Sequence, residues 1–165
     1  KYKYTGVIFC KKLPNINFHL YGNQNTIYEK KIMKLKNVYF KGYLEYSKLV
    51  LIMNNYKILL MPYKKNVGVL IKNINVAKYF SPLKMFDYLA SGKIIIASNL
   101  SVYKNILINK VNSIVINDDV NQWSKMINKA LNTNKYDYLG KAARIDSKKF
   151  SWRNRIIKIM EFQNI

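Results

Sequence analysis

The 165-residue chain lacks several things, and each absence removes a class of function. It has one cysteine, Cys10, which rules out an internal disulfide and any cysteine-rich metal site and fits a reducing, cytoplasmic setting. Its one histidine, His19, has no partner at metal-ligand spacing. Acidic residues number 8 against 29 Lys and Arg, too few for the carboxylate clusters that hold divalent cations. No apolar run approaches the roughly 18–20 residues of a membrane span. The opening Lys1-Tyr2-Lys3-Tyr4 leads into too short an apolar stretch for a signal peptide. The chain does not begin with Met and reads as a fragment of something longer.

Arginine is scarce as well: only Arg144, Arg153 and Arg155 stand among the basic residues that give a net charge of +21. Nucleic-acid sites cluster their charge and lean on Arg for bidentate contacts, whereas here lysines run the whole length. Lys, Asn, Ile and Tyr make up about half the chain and have the codons richest in A and T, so genome bias accounts for much of the lysine excess. A nucleic-acid partner is therefore the weakest of the readings left open. A peripheral hold on the inner face of an anionic membrane is another use of the same charge.

Half the residues are hydrophobic, and the length suits one domain, 1–165, with a real core. Strand patterns recur at Ile16–Tyr21, Asn37–Phe40, Ile58–Met61, Ile94–Ala97 and Ser113–Ile116. Helical spacing is found over Thr26–Lys36, Glu45–Asn55, Ser101–Ile108, Asn121–Leu131, Tyr138–Lys149 and Trp152–Phe162. Trp123 and Trp152 fall on apolar helical faces and read as core. Residues 1–13 are ambiguous: Tyr4–Phe9 reads as a strand, or Val7–Leu13 as helical turns before Pro14. Residues 63–80 have no clear period and read as a long loop. Single strands alternating with helices, several of them apolar on both faces, indicate a doubly wound, Rossmann-like parallel α/β sheet. Ligands in such sheets bind beyond the C-terminal ends of the strands.

One stretch there has chemistry prepared in it, Ser81-Pro82-Leu83-Lys84-Met85-Phe86-Asp87-Tyr88-Leu89-Ala90-Ser91-Gly92. Ser81 is a good N-cap, and Pro82 at the first helical position loses no hydrogen bond. The free N–H groups of Leu83 and Lys84 then point out of a positive helix end, a setting for a phosphate. Asp87 lies about one turn further on, in reach of something attached to that phosphate.

In order, these parts resemble the C-terminal domain of the GT-B glycosyltransferases, in particular the large family 4 of retaining enzymes (glycosyl transferases group 1). Leu13-Pro14-Asn15-Ile16-Asn17-Phe18-His19-Leu20-Tyr21-Gly22 is similar to the family's second strand and its glycine, and Asn37–Tyr43 to its third strand and turn. Ile58–Tyr63 resembles the fourth strand. Ser81–Gly92 is like the donor-binding helix of a subgroup with an S-P-L-K-x-F-E-Y signature. Ile95–Ser98, Trp123 with its helix, Leu139–Arg144 and Phe150–Arg153 follow in family order.

The resemblance implies a domain that binds a nucleotide-diphosphate sugar, for transfer to an acceptor glycan or lipid-linked sugar in cell-surface polysaccharide or glycolipid synthesis. It implies the donor diphosphate on Ser81, Pro82, Leu83 and Lys84, the ribose on Asp87, and the nucleobase bordered by Gly42, Tyr43 and Leu44. Tyr43 and Tyr63 are candidates to stack on the base. No cofactor and no metal are implied. The chain departs from the family in several places. Where the family has two acids separated by seven residues, Tyr79 stands in the first position, and Asn99 and Asn105 replace frequent acids. The first strand and its glycine-rich loop are missing or shortened, with Tyr4-Thr5-Gly6 as a candidate remnant. The N-terminal acceptor domain, where the main catalytic groups are expected, is absent, so this piece alone is not expected to turn over. A non-catalytic binding domain of the same fold is the alternative.

Overall fold

The computed structural model describes residues 5–22, 34–63 and 83–162. The chain opens with helix α1 (Thr5–Lys12), strand β1 (Phe18–Leu20), strand β2 (Val38–Phe40), helix α2 (Tyr46–Met53) and strand β3 (Ile58–Met61). Helix α3 (Lys84–Ser91), β4 (Ile94–Ser98), β5 (Ile114–Ile116), α4 (Val120–Asn132), α5 (Asp137–Ser147) and α6 (Trp152–Phe162) follow. All strand pairs among the described residues are parallel. Phe18 lies opposite Val38 in the β1–β2 ladder, and β4 runs between β3 and β5 with Leu60 opposite Ile96 and Ile96 opposite Ile114. Among the described residues the strands form two ladders, β1-β2 and β3-β4-β5, rather than one continuous sheet.

β4 shows why the architecture is two-sided. All five of its residues are buried, and they alternate between two cores. Ile94 and Ile96 face Trp123, Ile127 and Ala130 of α4 together with Phe9 and Cys10 of α1. Ile95 and Ala97 face Met85 and Leu89 of α3 and Ala143 of α5. A strand covered on both faces by helices is apolar at every position, and the doubly wound α/β expectation is met. Trp123 is fully buried, as its spacing predicted, stacked on Phe9 with ring centroids 5.4 Å apart.

Three expectations are corrected. Thr5–Lys12 is helical, so of the two readings of residues 1–13 the helical one before Pro14 holds and the strand over Tyr4–Phe9 does not, and the loop remnant at Tyr4-Thr5-Gly6 is not borne out because Gly6 lies inside a helix. An eight-residue helix fits before Pro14 because the Asn37 amide then gathers the turn that follows it, donating to the carbonyls of Cys10, Leu13 and Ile16 at 2.8–3.0 Å. Ser101–Ile108 holds only a 3₁₀ turn at Ser101–Tyr103. The side chain of buried Asn112 accepts from Ile108 N–H at 2.8 Å and donates to Ile106 C=O at 2.9 Å, competing for backbone groups a helix would use. Trp152 is 75% exposed, and no residue of α6 is buried. Its ring lies instead under the Arg155 guanidinium, 5.3 Å from ring centroid to Cζ. The helix expected over Thr26–Lys36 and the loop at 63–80 lie largely outside the described residues. No described helix is long and apolar enough to cross a membrane.

Burial also decides the chemistry of the single thiol. Cys10 is 6% exposed, and desolvation pushes its pKa up to about 12. We expect it to be inert to Ellman's reagent at pH 8 in the folded protein and to react at once in guanidinium. Rapid native-state reaction would contradict the docking of α1.

Candidate functional site

The predicted site residues that the structure describes, Gly42, Tyr43, Leu44, Leu83, Lys84 and Asp87, lie at the edge beyond the C-terminal ends of β2 and β3. Helix α3 is anchored there by Met85 and Leu89, both fully buried, which fixes the faces of the remaining positions. Lys84 and Asp87 are thereby turned outward on the helix's first turn. Leu83 stands at the cap position, 79% exposed, and its carbonyl accepts from Phe86 N–H at 2.9 Å. Ser81, Pro82 and Tyr79 lie outside the described residues. Gly92 ends the helix with φ +70°, the left-handed cap that the sequence indicated.

The second predicted group, Gly42, Tyr43 and Leu44, forms the turn after β2. Gly42 takes φ +72°, a conformation that favours glycine, and its carbonyl accepts from Gly22 N–H at 2.9 Å, tying the ends of β1 and β2 together. Tyr43 projects into solvent at 72% exposure, so it is not held by packing. Leu44 lines an open cavity of about 430 Å³ with His19, Tyr21, Lys41, Ile52, Asn55 and Tyr56. Within it the Tyr56 hydroxyl joins His19 Nδ1 at 2.6 Å and the Tyr21 hydroxyl at 2.7 Å. Desolvation, then the nearby Lys41 charge, lowers the His19 pKa, which favours neutral imidazole.

The two groups are brought together by a residue that sequence reasoning missed. Tyr46, at the start of α2, donates its hydroxyl to Asp87 Oδ1 at 2.7 Å, spanning from the β2 turn to α3. Its only sequence signal is position: it follows Gly42 by four residues at the head of a helix that begins on the ligand edge. Lys84 does not pair with Asp87. Its ammonium sits 5.0 Å from the ring centroid of Tyr63, the residue two beyond β3, so the base-stacking candidate and the phosphate candidate touch each other. At the other side of this edge Asn99 donates to Asn117 Oδ1 at 3.0 Å, bridging the ends of β4 and β5, while Asn105 is an exposed turn residue. Among the described residues no three His, Cys, Asp or Glu side chains group as metal ligands.

The arrangement offers outward first-turn amides, an ammonium, and a half-exposed carboxylate one turn away. That combination suits an anion carrying a polyhydroxyl group. A family model described as glycosyl transferase-like matches residues 7–161. No curated protein matches the chain. Among solved structures, a glycosyltransferase from Rickettsia africae aligns with TM-score 0.72 at 14% identity, covering 98% of this chain and 44% of its own. Anabaena Alr3699/HepE in complex with UDP-glucose aligns with TM-score 0.70 at 15% identity, over 95% of this chain and 44% of its own. The pneumococcal O-GlcNAc transferase GtfA in complex with UDP and GlcNAc aligns with TM-score 0.68 at 15% identity, over 96% of this chain and 31% of its own. At these identities the likeness is one of fold, and the chain spans less than half the length of these three structures.

Proposed function

The chain belongs to the glycosyl transferase-like family, and from that premise we propose that it is the donor-binding domain of a retaining, metal-independent glycosyltransferase that uses a nucleotide-diphosphate sugar. The observation that carries the reading is the joining of Asp87 on α3 to the turn after β2 through Tyr46, at the edge where parallel α/β sheets bind ligands. In this reading the diphosphate rests on the amides of Leu83 and Lys84 with Ser81 and Pro82 preceding them, and Lys84 leaves Tyr63 to meet it. Asp87 accepts from the ribose, and Gly42, Tyr43 and Leu44 border the base. As the sugar leaves, negative charge grows on the diphosphate, and the helix dipole and Lys84 oppose it. The groups that act on the sugar and the acceptor glycan or lipid-linked sugar belong to an N-terminal domain, so turnover requires both halves. Cell-surface polysaccharide or glycolipid synthesis and a peripheral place on the inner membrane face complete the proposal.

The structures of Anabaena Alr3699/HepE and pneumococcal GtfA hold UDP with a sugar or as a UDP-sugar, which makes UDP the first probe to try. At a ligand concentration of 100 Kd, binding to the folded state adds about 2.7 kcal/mol. For a domain of this size that raises Tm by roughly 5–10 °C. UDP, GDP or ADP is therefore expected to stabilise the chain by that amount, and Asp87→Ala to weaken the effective nucleotide at least about tenfold while leaving the unliganded Tm nearly unchanged. No shift with any of the three nucleotides, in wild type and Asp87→Ala alike, would sink the reading.

A further inference from the structure

Tyr46 is 63% exposed, so its ring contributes little to the core and its position answers to the hydroxyl. That hydroxyl is engaged with Asp87 Oδ1, and among the described residues Oδ2 of Asp87 has no hydrogen-bond partner. Lys84, one turn earlier on the same helix, sits over the Tyr63 ring and does not pair with the carboxylate. A phenol that donates its proton still carries lone pairs, so the pair presents two acceptors side by side, one ionic on Asp87 and one neutral on Tyr46. Two adjacent acceptors match the two donors of a vicinal cis-diol. Replacing one carboxylate oxygen by a neutral phenol also reduces the repulsion that a nearby diphosphate would feel.

We propose that Tyr46 and Asp87 form a two-point clamp for the ribose diol, Asp87 Oδ2 taking one hydroxyl and Tyr46 Oη the other, so that Tyr46 is a specificity-determining residue. The proposal rests on the nucleotide-site reading above. The Asp87 hydrogen bond and charge raise the Tyr46 pKa, so the phenol stays protonated and keeps donating to Oδ1 through mildly alkaline pH. The clamp distinguishes ribonucleotides from deoxynucleotides at both positions, and it orients the carboxylate before the ligand arrives.

Calorimetric titration of the 165-residue chain with UDP, 2′-deoxy-UDP and 3′-deoxy-UDP tests this, using wild type, Tyr46→Phe and Asp87→Asn. Wild type is expected to favour UDP over both analogues. Tyr46→Phe is expected to bind UDP about fivefold more weakly, the loss of one hydrogen bond in a half-open site, and to bind one of the two deoxy analogues as well as it binds UDP. Its melting temperature stays at the wild-type value, since the ring remains. If UDP binds wild type and Asp87→Asn weakens it, yet Tyr46→Phe keeps the full preference for UDP over both analogues, the clamp is overturned and the nucleotide site stands. If wild type binds none of UDP, GDP and ADP, both readings fall together.

Discussion

Gly140→Ala is expected to cost at least about 3 kcal/mol, the upper range for overpacking a site that cannot relax, and to remove nucleotide binding with it. A Cβ at Gly140 would lie 2.2 Å from the carbonyl oxygen of Gly92, 3.0 Å from its carbonyl carbon and 3.2 Å from that of Lys93. All three are backbone atoms at the joint between α3 and β4, so no side chain can swing away. Relief requires α5 to lift from α3, which uncovers Met85, Leu89 and Ala143, all fully buried. The same displacement shifts the start of α3, where Lys84 and Asp87 are carried. Urea unfolding followed by circular dichroism gives the midpoint, and a UDP titration of the folded fraction gives the site. A midpoint matching wild type would mean that α5 slides along its axis to make room.

The elements that were legible in the sequence are those whose burial is written in consecutive residues. Ile94-Ile95-Ile96-Ala97 is apolar on both faces, and Gly92 before it stops a helix, so α3 and β4 follow from local chemistry. Trp123, Ile127 and Ala130 recur at helical spacing and are buried. Val7-Ile8-Phe9-Cys10 was ambiguous because four contiguous apolar residues satisfy either period. Trp152 was misread because an amphipathic pattern tells which face is apolar and not whether anything covers it. Gly140 and Tyr46 lay beyond reach for a different reason. The partner of Gly140 is a carbonyl 48 residues earlier, and that of Tyr46 a carboxylate 41 residues later. Both pairings exist only once α3 has packed between its neighbours. The candidate site was thus half visible: its charged and glycine residues stood out locally, while the contact that joins its two halves is tertiary.

Trp123→Ala is expected to destabilise the domain by about 4 kcal/mol, in the range for deleting a fully buried aromatic. Its ring is almost parallel to Phe9, at 11°, and its indole N–H donates to the carbonyl of Asn117 at 3.2 Å, which fixes the end of β5 against the start of α4. Removing it leaves a cavity between α1 and α4 and takes away the indole hydrogen bond, leaving the Asn117 carbonyl with only the Asp119 N–H at 2.7 Å. Helix α1 is short, eight residues, and too short to persist by propensity alone, so its place depends on that packing. The substitution therefore has a second readout. Cys10 neighbours Phe9 on α1 and belongs to the same core, and once α1 loosens, its thiol gains access to water and its pKa falls back from about 12. Ellman's reagent is expected to label Trp123→Ala under native conditions at pH 8, where wild type stays unlabelled. Trp123→Phe, which keeps the stacking and loses only the N–H and part of the ring, is expected to lie within about 1–2 kcal/mol of wild type and to keep Cys10 protected. An alanine variant as stable as wild type, with Cys10 still unreactive, would mean that α1 is held by contacts other than this stack.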